Sequence, residues 1–258
     1  MDALSSLDKA IDLLFALHRA PGARGASELG RALGMPKSSV HRLLATLARR
    51  GLVERDDAGR YQPGIGLVAL GLGALERDPL AAVARTALES EARALDETVF
   101  LTAVRAGAIV VLDQALGTGV LRAAPRVGSA VPVHATAVGK LYLAFAPGAV
   151  ETGAEPFEAF TPSTPRTWAA LAAGVERARA QGFAENRGEW IAGLVVIAAP
   201  LFAGGRMVGA LAVAAPEARA EPLGRAGAPA RLVAAAQQVG ARLDGVVPER
   251  AARAGGMA

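Results

Sequence analysis

Near the start of the chain, apolar residues recur at intervals of three and four, the spacing of one face of an α-helix. The first such stretch follows Ser5, whose spacing to Asp8 is that of a capping box, and it ends at Pro21-Gly22. A second stretch starts at Ser27, a residue type that caps helix N-termini, and ends at Gly34. The pattern therefore predicts two helices, the second of about two turns.

A third helix is predicted after Met35-Pro36, because proline is tolerated in the first turn of a helix. Its apolar stripe consists of Val40, Leu43, Leu44 and Leu47. Gly51 ends this helix, and two short extended pieces then flank a turn at residues 56–59. Three short helices followed by a hairpin predict a winged helix-turn-helix over residues 1–64.

The pattern after this hairpin predicts a second, larger domain. An apolar run predicts a linker helix over residues 65–78, ending at Asp78-Pro79. Further helices are predicted at residues 81–95, 135–146, 164–181 and 228–243, the third with Thr164 as its N-cap, and strands at 99–104, 108–113, 194–199 and 207–215. The connection at residues 105–107 is short enough for a hairpin, so the sheet contains antiparallel pairs. We expect this domain to span residues 79–250, with a disordered tail at 251–258.

Composition narrows the class of protein. The 258 residues are 52% hydrophobic, carry a formal net charge of +4 and include no cysteine. The length allows two domains or one large one. The absence of cysteine excludes a disulfide framework and a thiolate metal site, and it fits a reducing cytoplasm. The N-terminal residues do not have the pattern expected of a signal peptide, and no apolar stretch reaches the about 18–20 residues that a membrane span needs. We therefore expect a cytoplasmic protein without a membrane partner.

Basic residues are concentrated in the predicted helix-turn-helix. Within residues 24–50 the only acid, Glu28, accompanies six basic side chains: Arg24, Arg31, Lys37, Arg42, Arg49 and Arg50. With its apolar stripe buried, the third helix presents outward the residue types that hydrogen-bond base edges in the major groove: Lys37, Ser38, Ser39, His41 and Arg42. Phosphate contacts are expected from Ser27, Arg31 and Arg49, and a contact in an adjacent groove from Arg60. The alternative is a solvated basic face on a small helical bundle.

Motifs for enzyme chemistry are weak. Gly64–Ala69 has the letters of a dinucleotide fingerprint, but no βαβ unit surrounds it. Gly139-Lys140 lacks the other residues of a P-loop, and no G-x-S-x-G elbow occurs. The three histidines have no metal-ligand spacing, so we expect His134 to be a hydrogen-bonded structural residue. Neither an enzyme nor a cofactor is indicated.

Two carboxylates of the predicted sheet domain, those of Glu185 and Glu189, are candidates for a catalytic pair. Glu185 and Glu189 lie in a segment that the pattern predicts as a charged loop. We expect them to be solvated or paired with Arg187. They therefore add no catalytic constellation to the sequence.

The stretch SELGRALGMPKSSVHRLLATLARRGLVERDDAGRYQPG resembles the DNA-binding signature of the IclR family of bacterial transcriptional regulators. The stretches VGSAVPVHATAVGKLYLAF, QGFAENRGEWIAGLVVIAAP and VGALAVAAP resemble the rest of that family, so the resemblance covers residues 5–245. It implies an α+β protein: a winged helix-turn-helix, a linker helix and a GAF-like α/β effector-binding domain with a mainly antiparallel sheet. It also implies a homodimer or dimer of dimers on palindromic double-stranded operator DNA.

The resemblance further implies an effector pocket. Carried over motif by motif, its residues are Val120, Ala123, Ala137, Val138, Asn186, Val196, Ala212 and Ala214. Ala137 and Val138 begin a predicted helix that Thr136 would cap, and the backbone N–H groups of a helix N-terminus suit a carboxylate. The effector implied by the family is therefore a small organic acid.

At three positions the residues of this pocket differ from those of family members that bind small oxo acids. Those members often carry Ser at the positions of Ala212 and Ala214, and Asp at that of Asn186. The missing hydroxyls imply a larger, more apolar pocket and an aromatic or longer-chain acid. The alternative is that both alanines are small core residues in an alanine-rich chain.

We therefore expect a ligand-responsive transcriptional regulator, a repressor of a catabolic operon, in which the linker helix transmits effector binding to the DNA-binding domain. One alternative is a constitutive DNA-binding protein whose C-terminal domain only oligomerises. Another is an enzyme with a fused DNA-binding head, which the absence of a nucleophile, metal cluster or cofactor loop disfavours.

Overall fold

The computed structural model describes residues 5–119 and 122–255, and for residues 75–76 and 246–255 it describes the backbone alone. The chain divides into two compact units between Arg77 and Asp78. The predicted linker helix is therefore grouped with the first unit.

The first unit contains four helices and a small hairpin in the part of the chain that the structure describes. These are α1 (Ser6–Arg19), α2 (Ala26–Leu33), α3 (Lys37–Arg49), β1 (Val53–Arg55), β2 (Tyr61–Pro63) and α4 (Ile65–Glu76). The predicted capping box begins α1: Asp8 N–H donates to Ser5 Oγ at 3.1 Å, and Ser5 N–H donates to Asp8 Oδ2 at 2.9 Å. The unit has its own core, which includes Leu13, Leu29, Val40, Leu44, Val53 and Tyr61.

The start of α2 differs from the prediction. Gly25 rather than Ser27 is the N-cap, and its N–H donates to Glu28 Oε2 at 3.2 Å. The cause is a contact distant in sequence: Arg24 and Tyr61 exchange two backbone hydrogen bonds of 2.8 Å, which hold the chain extended up to residue 24. The helix begins directly after this bridge, and Ser27 is exposed within its first turn.

The hairpin and α4 follow without a break. β1 and β2 are antiparallel. Gly59, in the turn between them, has a positive φ of 78°, and its N–H donates a hydrogen bond to Asp56 O. Gly66 N–H, in the first turn of α4, donates to Gly51 O at 2.9 Å, which attaches the helix to the end of the winged-helix core.

The second unit is a five-stranded antiparallel sheet with helices on both sides. Its elements are α5 (Pro79–Leu95), β3 (Thr98–Arg105), β4 (Ala108–Ala115), α6 (Ala137–Phe145), α7 (Trp168–Gln181), β5 (Ala184–Arg187), β6 (Leu194–Ala203), β7 (Arg206–Pro216), α8 (Ala220–Arg225) and α9 (Ala228–Gly255). The strand order is β4-β3-β7-β6-β5. α5 and α9 contact each other and the sheet, as do α6 and α7. Alternate residues of β7, including Ala210 and Ala212, belong to the core beneath α6 and α7.

The start of α7 and the end of α9 differ from the prediction. α7 begins at Trp168 with Thr167 as its N-cap, because the hydroxyl of Thr164 is used elsewhere. That hydroxyl accepts the N–H groups of Phe160 and Thr161 and donates to Glu189 O at 2.6 Å. At the end of the chain, α9 continues through residues 251–255, which we expected in a tail, whereas residues 256–258 lie outside the described part.

β5 is an element that the pattern did not predict. Its four residues, Ala-Glu-Asn-Arg, are mostly polar, and it becomes a strand because it pairs with β6, with Asn186 opposite Val196.

In the described part of the chain, no helix combines the length and apolar character needed to cross a membrane.

Candidate functional site

α3 presents a polar face opposite its buried stripe. Val40, Leu44 and Leu47 are buried, whereas Leu43 is only half-buried. On the other side Lys37, Ser38, His41 and Arg42 are exposed and Ser39 is half-buried. Among the described contacts, none of the four exposed side chains has a protein partner. Their donors stand in the first two turns of the helix, where a recognition helix reaches base edges.

The predicted phosphate-binding residues flank this face. Ser27 and Arg31 are exposed on α2. Arg49, near the C-terminus of α3, donates to Thr46 Oγ1 at 3.3 Å, and that hydroxyl donates to Arg42 O. These contacts leave most of the guanidinium donors of Arg49 free to bind other groups.

Arg60 on the wing is paired with an acid that the sequence analysis did not single out. Its Nε lies 3.3 Å from Asp56 Oδ2, and its backbone N–H donates to Asp56 Oδ1 at 2.7 Å. The backbone hydrogen bond is the main reason that the pKa of Asp56 lies below its ordinary value. Asp56 is therefore ionised near neutral pH and offsets the charge of Arg60. The i, i+4 spacing of the two residues is the signal that could have revealed this.

The second unit contains an apolar cavity of about 580 Å³. Its walls come from the first turn of α6, the segment 122–131, the loop 190–193 and the adjoining ends of β6 and β7. The lining includes Phe100, Val131 and Trp190, and two exposed arginines, Arg122 and Arg126, also belong to it. The cavity therefore combines an apolar interior with positive charge in its lining.

The predicted pocket residues divide between the cavity wall and the core. Ala123, Val138, Val196 and Ala214 line the cavity. Ala137, Asn186 and Ala212 do not line it; both alanines are fully buried in the core. Ala212 and Ala214 share a face of β7 and both belong to the core beneath α6, but only Ala214 also lines the cavity. Val120 lies outside the described residues.

The N-terminus of α6 forms one polar feature of the cavity. Thr136 caps the helix as expected: its hydroxyl accepts Gly139 N–H at 3.0 Å and donates to Pro132 O at 2.8 Å. Within the described contacts, the N–H groups of Ala137 and Val138 have no protein acceptor. Val138 lines the cavity, so this end of α6 offers donors and a positive dipole end beside an apolar space.

His134 is hydrogen-bonded and packed between aromatic rings. Its Nε2 lies 2.9 Å from Glu158 O, and its ring stacks on Phe157 and Phe160.

The carboxylates of β5 and the following loop have separate partners. Glu185 is paired with Arg187 at 2.5 Å, as one of the expected arrangements. The expectation for Glu189 is wrong, because this side chain is neither solvated nor paired with Arg187. It binds the buried Nζ of Lys140 on α6. The pairing depends on the packing of α6 against β5 and has no signal in the local sequence.

The architecture points to a class of protein: a winged helix-turn-helix with an exposed polar face on α3, followed by an α/β domain with an apolar cavity, is typical of a ligand-responsive DNA-binding regulator. Residues 72–241 match the family described as bacterial transcriptional regulator IclR C-terminal, and residues 6–57 match the IclR helix-turn-helix domain. The chain belongs to the IclR family, whose members are transcriptional regulators rather than enzymes.

Individual relatives extend over most of the chain. The glycerol operon regulatory protein of Streptomyces coelicolor is 32% identical over 213 residues, which cover 81% of this chain and 84% of that protein. A solved IclR regulator from Silicibacter sp. is 28% identical with a TM-score of 0.76, covering 93% of this chain and 96% of its own. An IclR homologue from Microbacterium hydrocarbonoxydans, solved in complex with 4-hydroxybenzoate, is 25% identical with a TM-score of 0.78, covering 93% and 99%.

Proposed function

We propose that the protein represses a catabolic operon and responds to an organic acid with an aromatic or otherwise bulky apolar body. The observation that carries the proposal is the cavity of about 580 Å³, which adjoins unpartnered N–H groups at the start of α6. The relative from Streptomyces coelicolor, named as an operon regulator, supports the operon part of the proposal.

The chemistry of the cavity favours such an acid. Its volume falls within the range of about 300–1,000 Å³ that is typical of small-molecule sites. The unpartnered N–H group of Val138, which lines the cavity, would receive the carboxylate, and Phe100, Val196 and Ala214 would contact the apolar body. A short oxo acid would leave much of this apolar wall in contact with water. The aromatic acid bound to the Microbacterium relative supports the same class of ligand.

We propose that α3 enters the major groove of a palindromic double-stranded operator. Lys37, Ser38, Ser39, His41 and Arg42 would contact base edges near the start of the helix. Ser27, Arg31 and Arg49 would contact phosphates, and Arg60 would reach an adjacent groove from the wing. The absence of internal partners for the exposed side chains at the start of α3, within the described part of the chain, supports this assignment.

A palindromic site requires a symmetric assembly, and the first unit has surfaces suited to one. Leu7, Ile11 and Phe15 form an exposed apolar stripe along α1. Ile65, Val68 and Leu72 form a second stripe along α4. Contiguous exposed apolar side chains of this kind are typical of protein interfaces. We propose that they are covered in a homodimer or in a dimer of dimers.

The function is tested by titrating the purified protein against its own upstream intergenic DNA and against a scrambled duplex at one fixed salt concentration. Each titration is repeated with benzoate, 4-hydroxybenzoate, octanoate and, as a small-acid control, pyruvate. The proposal predicts that a bulky acid changes affinity for the intergenic duplex alone. Equal binding to both duplexes would contradict operator recognition, and an equal or greater response to pyruvate would contradict the assigned ligand class.

A second candidate is a constitutive DNA-binding protein whose C-terminal domain serves only to oligomerise. Ala137 and Ala212, which the resemblance assigns to the pocket, are fully buried in the core, which favours this reading. It predicts that operator affinity is the same with every acid, whereas the oligomer forms normally.

A further inference from the structure

The loop 188–193 contributes one wall of the cavity and has a glycine at each end. Trp190, Ile191, Ala192 and Gly193 line the cavity. Gly188 and Gly193 have positive φ angles of 64° and 73°, which other residues rarely adopt. The loop connects the edge strand β5 to β6, so on one side it has no neighbouring strand to hold it. Backbone hydrogen bonds hold its two ends: Gly188 N–H donates to Leu194 O and Glu217 N–H donates to Gly193 O, each at 2.8 Å. The residues between these ends are connected to the domain through side chains.

The side chain of Lys140 supplies such a connection. Lys140 lies one helical turn after Thr136 on α6 and is only 4% exposed. Its Nζ donates to Glu189 Oε1 at 2.5 Å and to Glu185 O at 3.0 Å. Glu189 directly precedes Trp190, so a single ion pair joins α6, one wall of the cavity, to the loop that forms another.

Lys140, Gly174 and Glu189 line a separate polar cavity of about 320 Å³, and the Lys140 side chain passes close to α7. Gly174 on α7 faces its aliphatic chain, and a Cβ at residue 174 would lie 3.1 Å from Lys140 Cε and 3.3 Å from Cδ. Because residue 174 is a glycine, the Lys140 side chain can pass close to α7 and reach Glu189. Further hydrogen bonds hold the backbone of Glu189: Thr164 Oγ1 donates to its carbonyl, and its N–H donates to Asn186 Oδ1 at 3.3 Å.

Glu189 depends on Lys140 for its charge balance. Its second carboxylate oxygen, Oε2, is buried and has no hydrogen-bond partner among the described residues. Removing the ammonium would leave the half-buried carboxylate without its ion-pair partner, which is unfavourable. The loop could relieve this by moving Glu189 outward to water, and Trp190 would move with it.

We propose that Lys140 and Glu189 are positioning residues that set the width of the effector cavity without contacting the effector. This inference rests on the proposed function in one respect, that the cavity binds an acid. The position of the loop does not depend on that assumption. The ion pair with Lys140 fixes the position of Glu189. Because Glu189 directly precedes Trp190, it also fixes where Trp190 contributes to the cavity wall.

The test measures the exposure of the loop residue Trp190 and the affinity of the cavity for a ligand separately. The chain has two tryptophans, so in a Trp168→Phe background Trp190 becomes the single fluorophore. Acrylamide quenching of Trp190 reports its exposure, and titration with the aromatic anion 1-anilinonaphthalene-8-sulfonate reports the cavity. In this background Lys140→Met is expected to increase quenching and to weaken probe binding by about tenfold, within the coupling expected of residues in one network.

Two further variants distinguish positioning from general stability. Glu189→Gln keeps the shape and the acceptor oxygen but removes the negative charge, so it provides a second readout if Lys140→Met folds poorly. The double variant Lys140→Met with Glu189→Gln buries no unpaired charge and is expected to recover part of the probe affinity. Arg231→Met breaks the ion pair between α9 and α5, in which Nε lies 2.8 Å from Glu91 Oε2, and serves as the matched control.

Arg231→Met should lower the melting temperature while leaving quenching and probe affinity unchanged. If Lys140→Met and Glu189→Gln do the same, the pair is only structural and the proposal is overturned. If quenching rises but the background protein binds no probe, the positioning of the loop stands and the proposed ligand site fails.

Discussion

Gly139 lies against the backbone of Val133 so closely that a Cβ at position 139 would be 1.8 Å from the Val133 carbonyl oxygen. The same glycine donates its N–H to the capping hydroxyl of Thr136. The N-terminal turn of α6, which carries the proposed carboxylate donor, is thus seated directly on the segment before it. This contact is possible only without a side chain.

Gly139→Ala is therefore expected to destabilise the second unit by about 3 kcal/mol, the upper part of the usual range for overpacking. Urea denaturation followed by circular dichroism measures the loss. Gly224→Ala, in exposed α8 with no atom within 4 Å of the added Cβ, is the control and should be neutral or stabilising by less than about 1 kcal/mol. An equal effect of both changes would contradict the close contact.

Arg42→Ala should weaken operator binding by about 1–3 kcal/mol and reduce the preference for operator over scrambled DNA, because the side chain is exposed early on the proposed recognition helix. Fluorescence anisotropy with both duplexes measures the ratio. Arg206→Ala, an exposed arginine at the β6–β7 turn, removes the same charge from the other unit and should leave the ratio unchanged. Unaltered selectivity in Arg42→Ala would remove Arg42 from the base contacts.

Asp56→Asn should strengthen binding to both duplexes and steepen its salt dependence by about one ion, since it releases Arg60 from its counter-charge. Asparagine keeps an oxygen that can accept Arg60 N–H, so the turn should persist. The exposed Asp57→Asn changes the net charge equally without involving Arg60. If both variants behave alike, the effect is one of general charge and not of the pair.

The pKa of Asp56 also gives the direction of a pH effect. Because the folded pKa is lowered, the ion pair and the turn hydrogen bonds contribute stability above the unfolded pKa near 3.8 and lose it as the pH falls through the folded value. Between pH 6 and 8 the difference between wild type and Asp56→Asn in DNA affinity should therefore be constant. A change over that interval would show that another group titrates with the pair.

Ala214→Leu should occupy part of the cavity and weaken binding of 1-anilinonaphthalene-8-sulfonate by about tenfold, because Ala214 lines the cavity wall. Ala226→Leu adds the same volume at an exposed position and should have no effect. Unchanged probe affinity in Ala214→Leu would mean that the probe binds elsewhere.

Phe15→Glu should dissociate the proposed dimer, since it places a charge within the apolar stripe of α1. Light scattering coupled to gel filtration measures the molar mass. Leu116→Glu alters an equally exposed leucine outside both stripes and should leave the assembly intact. A variant Phe15→Glu with the wild-type mass would exclude this stripe from the interface.

Features that depend on neighbouring residues were predictable. The capping box at Ser5, the cap at Thr136 and the hairpin turn at Ala106-Gly107, with its positive φ angles, all follow from residues at most four apart. The same holds for the periodic burial of α3. These elements need no knowledge of distant contacts.

Features that depend on distant residues were predicted incorrectly or missed. Ser27 has good capping chemistry, but the backbone bridge between Arg24 and Tyr61 decides where α2 begins. Thr164 likewise has good capping chemistry, but its hydroxyl is taken by Glu189 O, and α7 begins later. In each case a competing partner far along the chain satisfies the groups that local chemistry would have used.

The candidate pocket shows the same division. The motif identified the start of α6 and the strand β7, but alternation along a strand specifies only a face and not a depth. Of the two alanines only Ala214 lines the cavity, and that difference depends on how distant elements pack around β7. The pairing of Lys140 with Glu189 is decided by the packing of α6 against β5, and no periodicity encodes it.

The sequence alone therefore determined the winged helix-turn-helix, the antiparallel sheet domain and the family, because periodicity, caps and ordered motifs act over short distances. The tertiary structure alone decided which residues form the cavity wall and which charges are buried together. Those relationships arise only when elements far apart in the chain are packed against each other and exclude water.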